Sequence, residues 1–323
     1  MTWLITGGAG YIGAHVARAM LDAGEGAVVY DDLSTGIAER VPRDVPLEVG
    51  STLDGERLAR VIRGHGVTGV VHLAAKKQVG ESVEQPLRYY RENVEGLRTL
   101  LGAVTDAGVP SFVFSSSAAV YGMPDVVLVT EDTPCAPMSP YGETKLAGEW
   151  LVRATGRATG LSTASLRYFN VAGAAAPALA DTGVFNLVPM VFEKLTEGSA
   201  PRVFGADYPT PDGTCVRDYI HVVDLAEAHV ATARRLREAP GTDLTLNIGR
   251  GEGVSVREMI DRITAHTGHT LSPVVVDRRP GDPARVVASA DRAATELGWK
   301  ARHGVDEMIA SAWEGWMHHH PAR

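Results

Sequence analysis

The chain has 323 residues and a formal net charge of −8, with 45% hydrophobic and 22% charged residues, 35 Gly, 18 Pro and 2 Cys. This composition excludes a disordered chain, a collagen-like repeat and a disulfide scaffold, and an acidic chain without a Lys/Arg run lacks the basic face that nucleic acid requires. The length exceeds what one core usually fills, so two lobes are expected.

Trp3 to Thr6 reads as a buried strand. It is apolar but runs at once into glycines and has no basic flank, so it does not read as a signal peptide. Tyr11 to Ala23 follows as a helix with Ile12, Val16, Ala19 and Met20 on one face and Gly24 as its stop. Val28 to Asp31 is the next strand. Apolar runs at 67–75, 111–117 and 162–171 predict further strands, separated by helices at 56–63, 86–107 and 141–158. Strand and helix alternating in this way predict an α/β fold, a doubly wound parallel sheet of Rossmann type with ligands beyond the carboxyl ends of the strands.

After Val171 the pattern changes. Residues 172–182 and 201–214 are rich in Gly and Pro, 186–197 reads as a helix, 222–237 as another, and 244–248 as a strand that rejoins the main sheet. The expected division is 1–170 plus 218–248 for a nucleotide-binding lobe and 171–217 plus 249–323 for a smaller α/β lobe. The end, Trp316 to Arg323, contains three consecutive histidines and reads as a solvated tail; no histidine, including His72 and His221, has metal-ligand spacing, so no metal is expected. Cys135 and Cys215 lack CxxC spacing, which suits a reducing compartment. No stretch approaches the roughly 18 consecutive apolar residues of a membrane helix. The expectation is a cytoplasmic protein with neither a membrane nor a nucleic-acid partner.

Between the first strand and the first helix lies Thr6-Gly-Gly-Ala-Gly-Tyr-Ile-Gly13. Gly7, Gly10 and Gly13 permit a tight turn, close approach to a pyrophosphate and tight helix packing, and the helix start offers free N–H groups to an anion. Asp31 ends the second strand 18 residues after Gly13, where a carboxylate binds a ribose diol and repels a 2′-phosphate. No Arg or Lys follows in Asp32 to Gly36. The cofactor predicted is therefore NAD rather than NADP.

Tyr141 and Lys145 are four apart on one helical face, after the Ser115-Ser-Ser117 run at a strand end. A phenol titrates near 10, so a Tyr141 base at pH 7 needs roughly 4 kcal/mol of help. A cation about 4 Å away supplies about that much at an effective dielectric of 20. Lys145 and an oxidised nicotinamide ring are the two candidates for it. Ser117 would bond the substrate oxygen and relay its proton to Tyr141.

With these motifs the chain resembles the extended short-chain dehydrogenase/reductase family, and nearly all of it resembles that family's UDP-glucose 4-epimerase branch. The matching stretches are Gly7 to Gly13, Val79-Gly-Glu-Ser82, Ser115 to Ala118 with Val120-Tyr-Gly122, Ser139-Pro-Tyr-Gly142, Leu166-Arg-Tyr-Phe-Asn170, Asp212 to Val222 and Arg279-Pro-Gly-Asp282. The resemblance implies interconversion of UDP-glucose and UDP-galactose through a 4-keto sugar. It adds Tyr11, Ile12, Leu73, Ala74, Ala75, Lys77, Asn93, Ser115 and Tyr168 to the NAD site. It assigns the nucleotide sugar to Ser117, Tyr141, Asn170, Asn186, Leu187, Phe204, Arg217, Tyr219, Arg279, Asp282 and Val286, with the smaller lobe as the UDP-sugar lobe, and it implies a homodimer through 86–107 and 141–158. Without it, Arg217 and Arg279 read as surface ion-pair residues and Phe204 as core.

Three positions depart from the family pattern: Ser51 replaces an Asp, Ala119 replaces a Thr, and Val286 stands where strict glucose/galactose enzymes often carry Tyr. The space left by Val286 predicts acceptance of N-acetylated UDP sugars. A 4,6-dehydratase would need acidic residues after Ser117, where Ala118 and Ala119 stand. A UDP-glucuronate epimerase or decarboxylase would need a site for the sugar carboxylate, which the sequence does not decide. A non-catalytic NAD-binding sensor would have no use for both Tyr141 and Lys145.

Overall fold

A computed structural model describes residues 1–270, 272–279 and 281–321. Seven strands form the main sheet: β1 (Thr2–Thr6), β2 (Gly26–Asp31), β3 (Leu47–Val49), β4 (Gly69–His72), β5 (Ser111–Ser117), β6 (Ser162–Tyr168) and, after three strands that lie elsewhere, β10 (Asp243–Ile248). Their order is β10-β6-β5-β4-β1-β2-β3 and every pairing is parallel. This is the doubly wound arrangement the sequence predicts, with its switch point between β1 and β4, where a crevice opens beyond the strand ends.

Strand periodicity explains why both faces are covered. Ile5, Val29, Val71, Val113 and Leu246 point to one side and pack with Val16 and Met20 of α1 (Tyr11–Asp22) and Leu225 and Leu236 of α8 (Val222–Glu238). Their neighbours Leu4, Val28, Val70 and Phe112 point to the other side. They meet Leu58 and Ile62 of α2 (Gly55–Gly64), Leu97 and Leu100 of α5 (Gly96–Asp106) and Val152 of α6 (Pro140–Thr159). Each such side chain contributes about 1.5–3 kcal/mol when removed from water. A two-residue period with both phases apolar can only be satisfied by helices on both faces.

Three expected elements differ. The run 162–171 is not one strand. It breaks at Phe169, and β7 (Asn170–Ala172) pairs instead with β9 (Val216–His221) in a four-stranded sheet completed by β11 (Gly253–Ser255) and β13 (Arg285–Val286). The run 86–107 is not one α-helix. Between α4 (Pro86–Tyr89) and α5 the residues Tyr90–Glu95 form a π turn, the helix α3 (Val79–Glu84) preceding it. The end is a solvated tail only in part: α11 (Val305–His319) carries Trp316 into a core with Phe192, His318 to Pro321 are exposed, and Ala322 and Arg323 lie outside the described residues.

That second core is built from α7 (Leu187–Thr196), α9 (Val256–Thr267) and α11, beside a short parallel pair, β8 (Arg202–Phe204) and β12 (Val274–Val276). The strand Val216–His221 straddles the expected seam at 217/218. The helix α10 (Asp291–Leu297) reaches back, with Ala293 and Trp299 in the core of the main sheet. Among the described residues, no helix is long and apolar enough to cross a membrane and no group of His, Cys, Asp and Glu could hold a metal ion.

Candidate active site

A cleft of about 400 Å³ opens at the carboxyl ends of β1, β2, β4, β5 and β6. The first wall is the turn between β1 and α1. Gly7 has φ +72° and Gly10 is the N-cap of α1. A Cβ on Gly7 would lie 2.7 Å from the Ala74 amide nitrogen, and one on Gly13 would lie 2.2 Å from the Gly7 carbonyl oxygen. Glycine is therefore required for the turn to close and for the loop after β4 to approach it. The free N–H groups at the α1 start then face the cleft beside Tyr11, Ile12 and Gly13, which suits an anionic ligand.

Asp31, at the end of β2, lines the next stretch and is buried. Its carboxylate oxygens accept from Ala9 N (3.0 Å) and Leu33 N (2.9 Å). Burial raises its pKa and these amides oppose the rise. Each oxygen keeps a second lone pair for a hydroxyl donor. Leu73, Ala74, Ala75 and Lys77 line the cleft from the loop after β4, and Ser115 and Tyr168 close its inner end, joined to each other by a hydroxyl–hydroxyl hydrogen bond. The cradle in which a Cβ would collide and the diol-ready carboxylate fit a dinucleotide: Gly7, Gly10 and Gly13 would face its diphosphate and Asp31 its ribose.

The reactive end is built by α6. Ser139 caps this helix, its Oγ accepting from Gly142 N, and Pro140 occupies the first turn. Gly142 packs so tightly that a Cβ there would lie 2.7 Å from the Ala119 carbonyl, which fixes α6 against the turn after β5. One helical turn then separates Tyr141 from Lys145, and both line the cleft. Lys145 Nζ donates to the Ser115 carbonyl at 2.7 Å and lies 5.9 Å from the centre of the Tyr141 ring. Burial lowers the lysine to about 7, against a smaller upward pull from Glu149.

Tyr141 is held above its ordinary value by burial, and Ser117, facing the phenol, acts in the opposite direction. Burial thus increases the help that Lys145 and an oxidised nicotinamide ring together are expected to give the phenolate. The side chains alone therefore hold the phenol above its ordinary value, burial outweighing the Ser117 hydrogen bond.

Asn93 is the one predicted cofactor residue outside the cleft lining. It is buried in the π turn, where its Oδ1 accepts from Lys76 N (2.8 Å) and its Nδ2 donates to Lys76 O (3.0 Å) and Thr144 Oγ1 (3.0 Å). It ties the loop after β4 to α6 instead of facing a ligand.

The residues expected to meet a nucleotide sugar gather in the second lobe. Arg217 on β9 pairs with Asp282 at 3.0 Å and donates to the Pro283 carbonyl, and the Arg279 guanidinium lies 3.7 Å above the Phe204 ring. Asn170 is in register with Tyr219 across β7 and β9, and burial raises the Tyr219 phenol to about 12. Asn186 N-caps α7, which begins at Leu187, and its Nδ2 donates to Asp181 Oδ2. Val286 does not open onto the cleft. It is buried with Val120, Tyr121, Leu146 and Phe169, and so supplies less free space than expected.

The same cleft is lined by Ser34, Thr35, Gly36, Arg40, Thr52, Lys76, Asp181, Thr182, Gly183 and Phe185, which sequence reasoning did not assign, and by Ser51, expected near the adenine. Ser34 to Gly36 follow Asp31 directly, and that proximity was the available signal. Arg40 and 181–185 carry no motif. Ser51, one of the departures, offers its carbonyl to Tyr30 and its Oγ to Leu53 N.

Residues 3–249 match the NAD dependent epimerase/dehydratase family. The chain is 47% identical over 318 residues to a UDP-glucose 4-epimerase of Azospirillum brasilense, covering 96% of this chain and 91% of that one. It is 44% identical over 324 residues to a UDP-glucose 4-epimerase of Streptomyces lividans, covering 99% and 97%. It is also similar, with a TM-score of 0.96, 41% identity and complete coverage of both chains, to the crystal structure of a UDP-glucose 4-epimerase from Stenotrophomonas maltophila with bound NAD and formylated UDP-arabinopyranose.

Proposed function

The chain belongs to the NAD dependent epimerase/dehydratase family, and from that premise we propose its chemistry: it is an NAD-dependent epimerase that interconverts UDP-glucose and UDP-galactose at C4 through a transient 4-keto sugar. The observation that carries the assignment of roles is that Tyr141 and Lys145 line one cleft with the glycine turn and Asp31, with Ser117 hydrogen-bonded to the Tyr141 phenol. Bound there, NAD would supply a reversible hydride acceptor and a positive ring that favours the Tyr141 phenolate.

Tyr141 takes the proton of the sugar 4-hydroxyl and later returns one to the ketone oxygen, with Ser117 donating a hydrogen bond to that oxygen. Lys145, fixed by the Ser115 carbonyl, holds positive charge near the phenol. Turning the 4-keto sugar about its diphosphate linkage would present its opposite face, and Tyr141 would then return the proton to the ketone oxygen. Arg217 and Arg279 would hold that diphosphate, for which a planar guanidinium fork is suited. Asn170, Asn186 and Leu187 would meet the sugar and diphosphate, with Phe204, Tyr219 and Asp282 beside the uridine. Opposed to a dehydratase, the turn after Ser117 offers Ala118 and Ala119 and no acid.

The test is incubation of the protein with UDP-galactose and no added NAD. Conversion to UDP-glucose is expected. Tyr141→Phe should lose about 10²–10⁴ in kcat while retaining NAD. Unchanged turnover in that variant would remove Tyr141 from its role.

We also propose the two-lobe division 1–170 plus 218–248 against 171–217 plus 249–323, with β9 and α10 crossing its seams. A homodimer and a cytoplasmic location complete the proposal, the latter suited to the free thiols of Cys135 and Cys215. Turnover of N-acetylated UDP sugars stays part of it at Val286, with less support now that this side chain is packed. No conversion of UDP-N-acetylglucosamine under conditions that turn over UDP-galactose would remove that extension.

A further inference from the structure

Arg40 lies on a short 3-10 turn after β2, far in sequence from any motif, and is buried at 4% exposure. Its Nη2 donates to the Ala180 carbonyl at 2.5 Å and to Thr182 Oγ1 at 3.2 Å, bridging 140 residues of chain. Ala180 is pressed from its other side by α11. A Cβ at Gly315 would come within 2.1 Å of the Ala180 Cβ and 3.2 Å of the Pro177 carbonyl, so glycine is what lets α11 lie there.

The segment so pinned continues through Asp181, Thr182, Gly183 and Phe185, which line the same cleft as the glycine turn, and ends at Asn186, the N-cap of α7. Asp181 does not cancel the guanidinium by hydrogen bonding. Its oxygens accept from Gly183 N and Asn186 Nδ2 and thereby set the bend of the same segment. The other groups whose charge reaches Arg40 are Tyr11 and His15 on α1 and His319 on α11. A buried guanidinium is costly to desolvate. Here it joins two lobes by neutral acceptors at the mouth of the cleft.

We propose that Arg40 is a positioning residue that latches the 180–186 segment of the smaller lobe over the dinucleotide cleft, so that cofactor retention and the placement of Asn186 depend on one guanidinium. The proposal rests on the assignment of NAD to that cleft. The latch holds a stretch of the wall of the cleft that Gly10 and Tyr11 also line, so opening it exposes the cofactor to solvent and frees the N-terminus of α7 to shift.

The test uses full-length Arg40→Met and Arg40→Lys proteins beside the wild type. Three quantities are measured: NAD remaining after gel filtration, chymotryptic cleavage after the exposed Phe185, and the separate kcat and KM for UDP-galactose. Losing two hydrogen bonds from a charged donor should cost roughly tenfold or more in NAD retention and speed cleavage at Phe185 similarly. KM should rise more than kcat falls, because the reactive groups on α6 are untouched. Arg40→Lys, which keeps the charge but not the fork, should fall between. Gly315→Ala, pushing on Ala180 from the other side, should reproduce the loosened segment, and it decides the matter if Arg40→Met does not fold.

Folded variants that hold NAD and resist cleavage like the wild type would overturn the latch and leave the epimerase assignment standing. A wild-type protein that carries no NAD and binds none would instead overturn the cofactor assignment.

Discussion

Burial acts on Tyr141 and Lys145 in opposite directions, raising the phenol and lowering the amine, so both are pushed toward their neutral forms. The lysine has a consequence for stability that can be measured. Its pKa is about 7 in the folded protein and about 10.4 in an unfolded chain. Between those values the unfolded state binds a proton the folded state lacks, so this group makes stability rise with pH across that window. Below about pH 7 both states are protonated, and the full cost of burying the charge is present.

Replacing the lysine by Met removes this cost. Lys145→Met should therefore gain most relative to wild type at low pH, and its advantage should shrink as pH is raised toward 10. Urea unfolding of both proteins at about pH 6.5 and 9.5 checks this. Parallel stability curves would show that Lys145 titrates normally.

At the scale of elements, the π turn Tyr90–Glu95 shows what periodicity hides. A π turn differs from an α-helix in its i→i+5 backbone bonding, which no residue type in 90–95 announces, so the sequence reads as a plain helix. The turn carries Asn93 inward to bond both the N–H and the C=O of Lys76 and the Thr144 hydroxyl. Asn93→Ala removes all three bonds and strands polar groups between the loop after β4 and α6. A loss of about 1–3 kcal/mol is expected from denaturant unfolding, with NAD binding weakened through movement of Ala74 to Lys77. A variant of wild-type stability would leave those bonds without energetic weight.

Elements whose core faces follow a simple period were readable for the same reason they fold: β1, α1, β5, α6 and α8 each state their buried side in the chain. The glycine turn, Asp31 and the Tyr141–Lys145 pair were legible because their chemistry demands fixed residue types at fixed spacing. What escaped detection depends on distant partners. The break at Phe169 occurs because Asn170–Ala172 finds β9, almost 50 residues on, and Trp316 is core only because Phe192 lies beneath it. Arg40 was silent because its acceptors are one carbonyl and one hydroxyl 140 positions away.

At the scale of the whole molecule, one group of exposed apolar side chains lies on neighbouring helices. Val79 and Val83 of α3, Leu87 of α4, Tyr90 of the π turn and Trp150 of α6 are all exposed, Leu87 at 84%. The helices α3 and α4 both pack on α6, which brings the elements that carry these side chains together. A contiguous apolar surface of several hundred Å² is uncommon on a monomer, and a stable interface needs about 800 Å² from each partner. Two copies meeting through this face would bury it isologously, each helix set packing on its counterpart.

Light scattering on the purified protein should give twice the mass of the chain. Leu87→Glu combined with Trp150→Glu places four like charges in the symmetric interface, two from each copy, and should yield a monomer at micromolar concentration. The cleft lies at the strand ends rather than at these side chains, so the monomer should keep its bound NAD. A wild-type monomer, or a charged double variant that remains a dimer, would assign the apolar face to something other than a second copy.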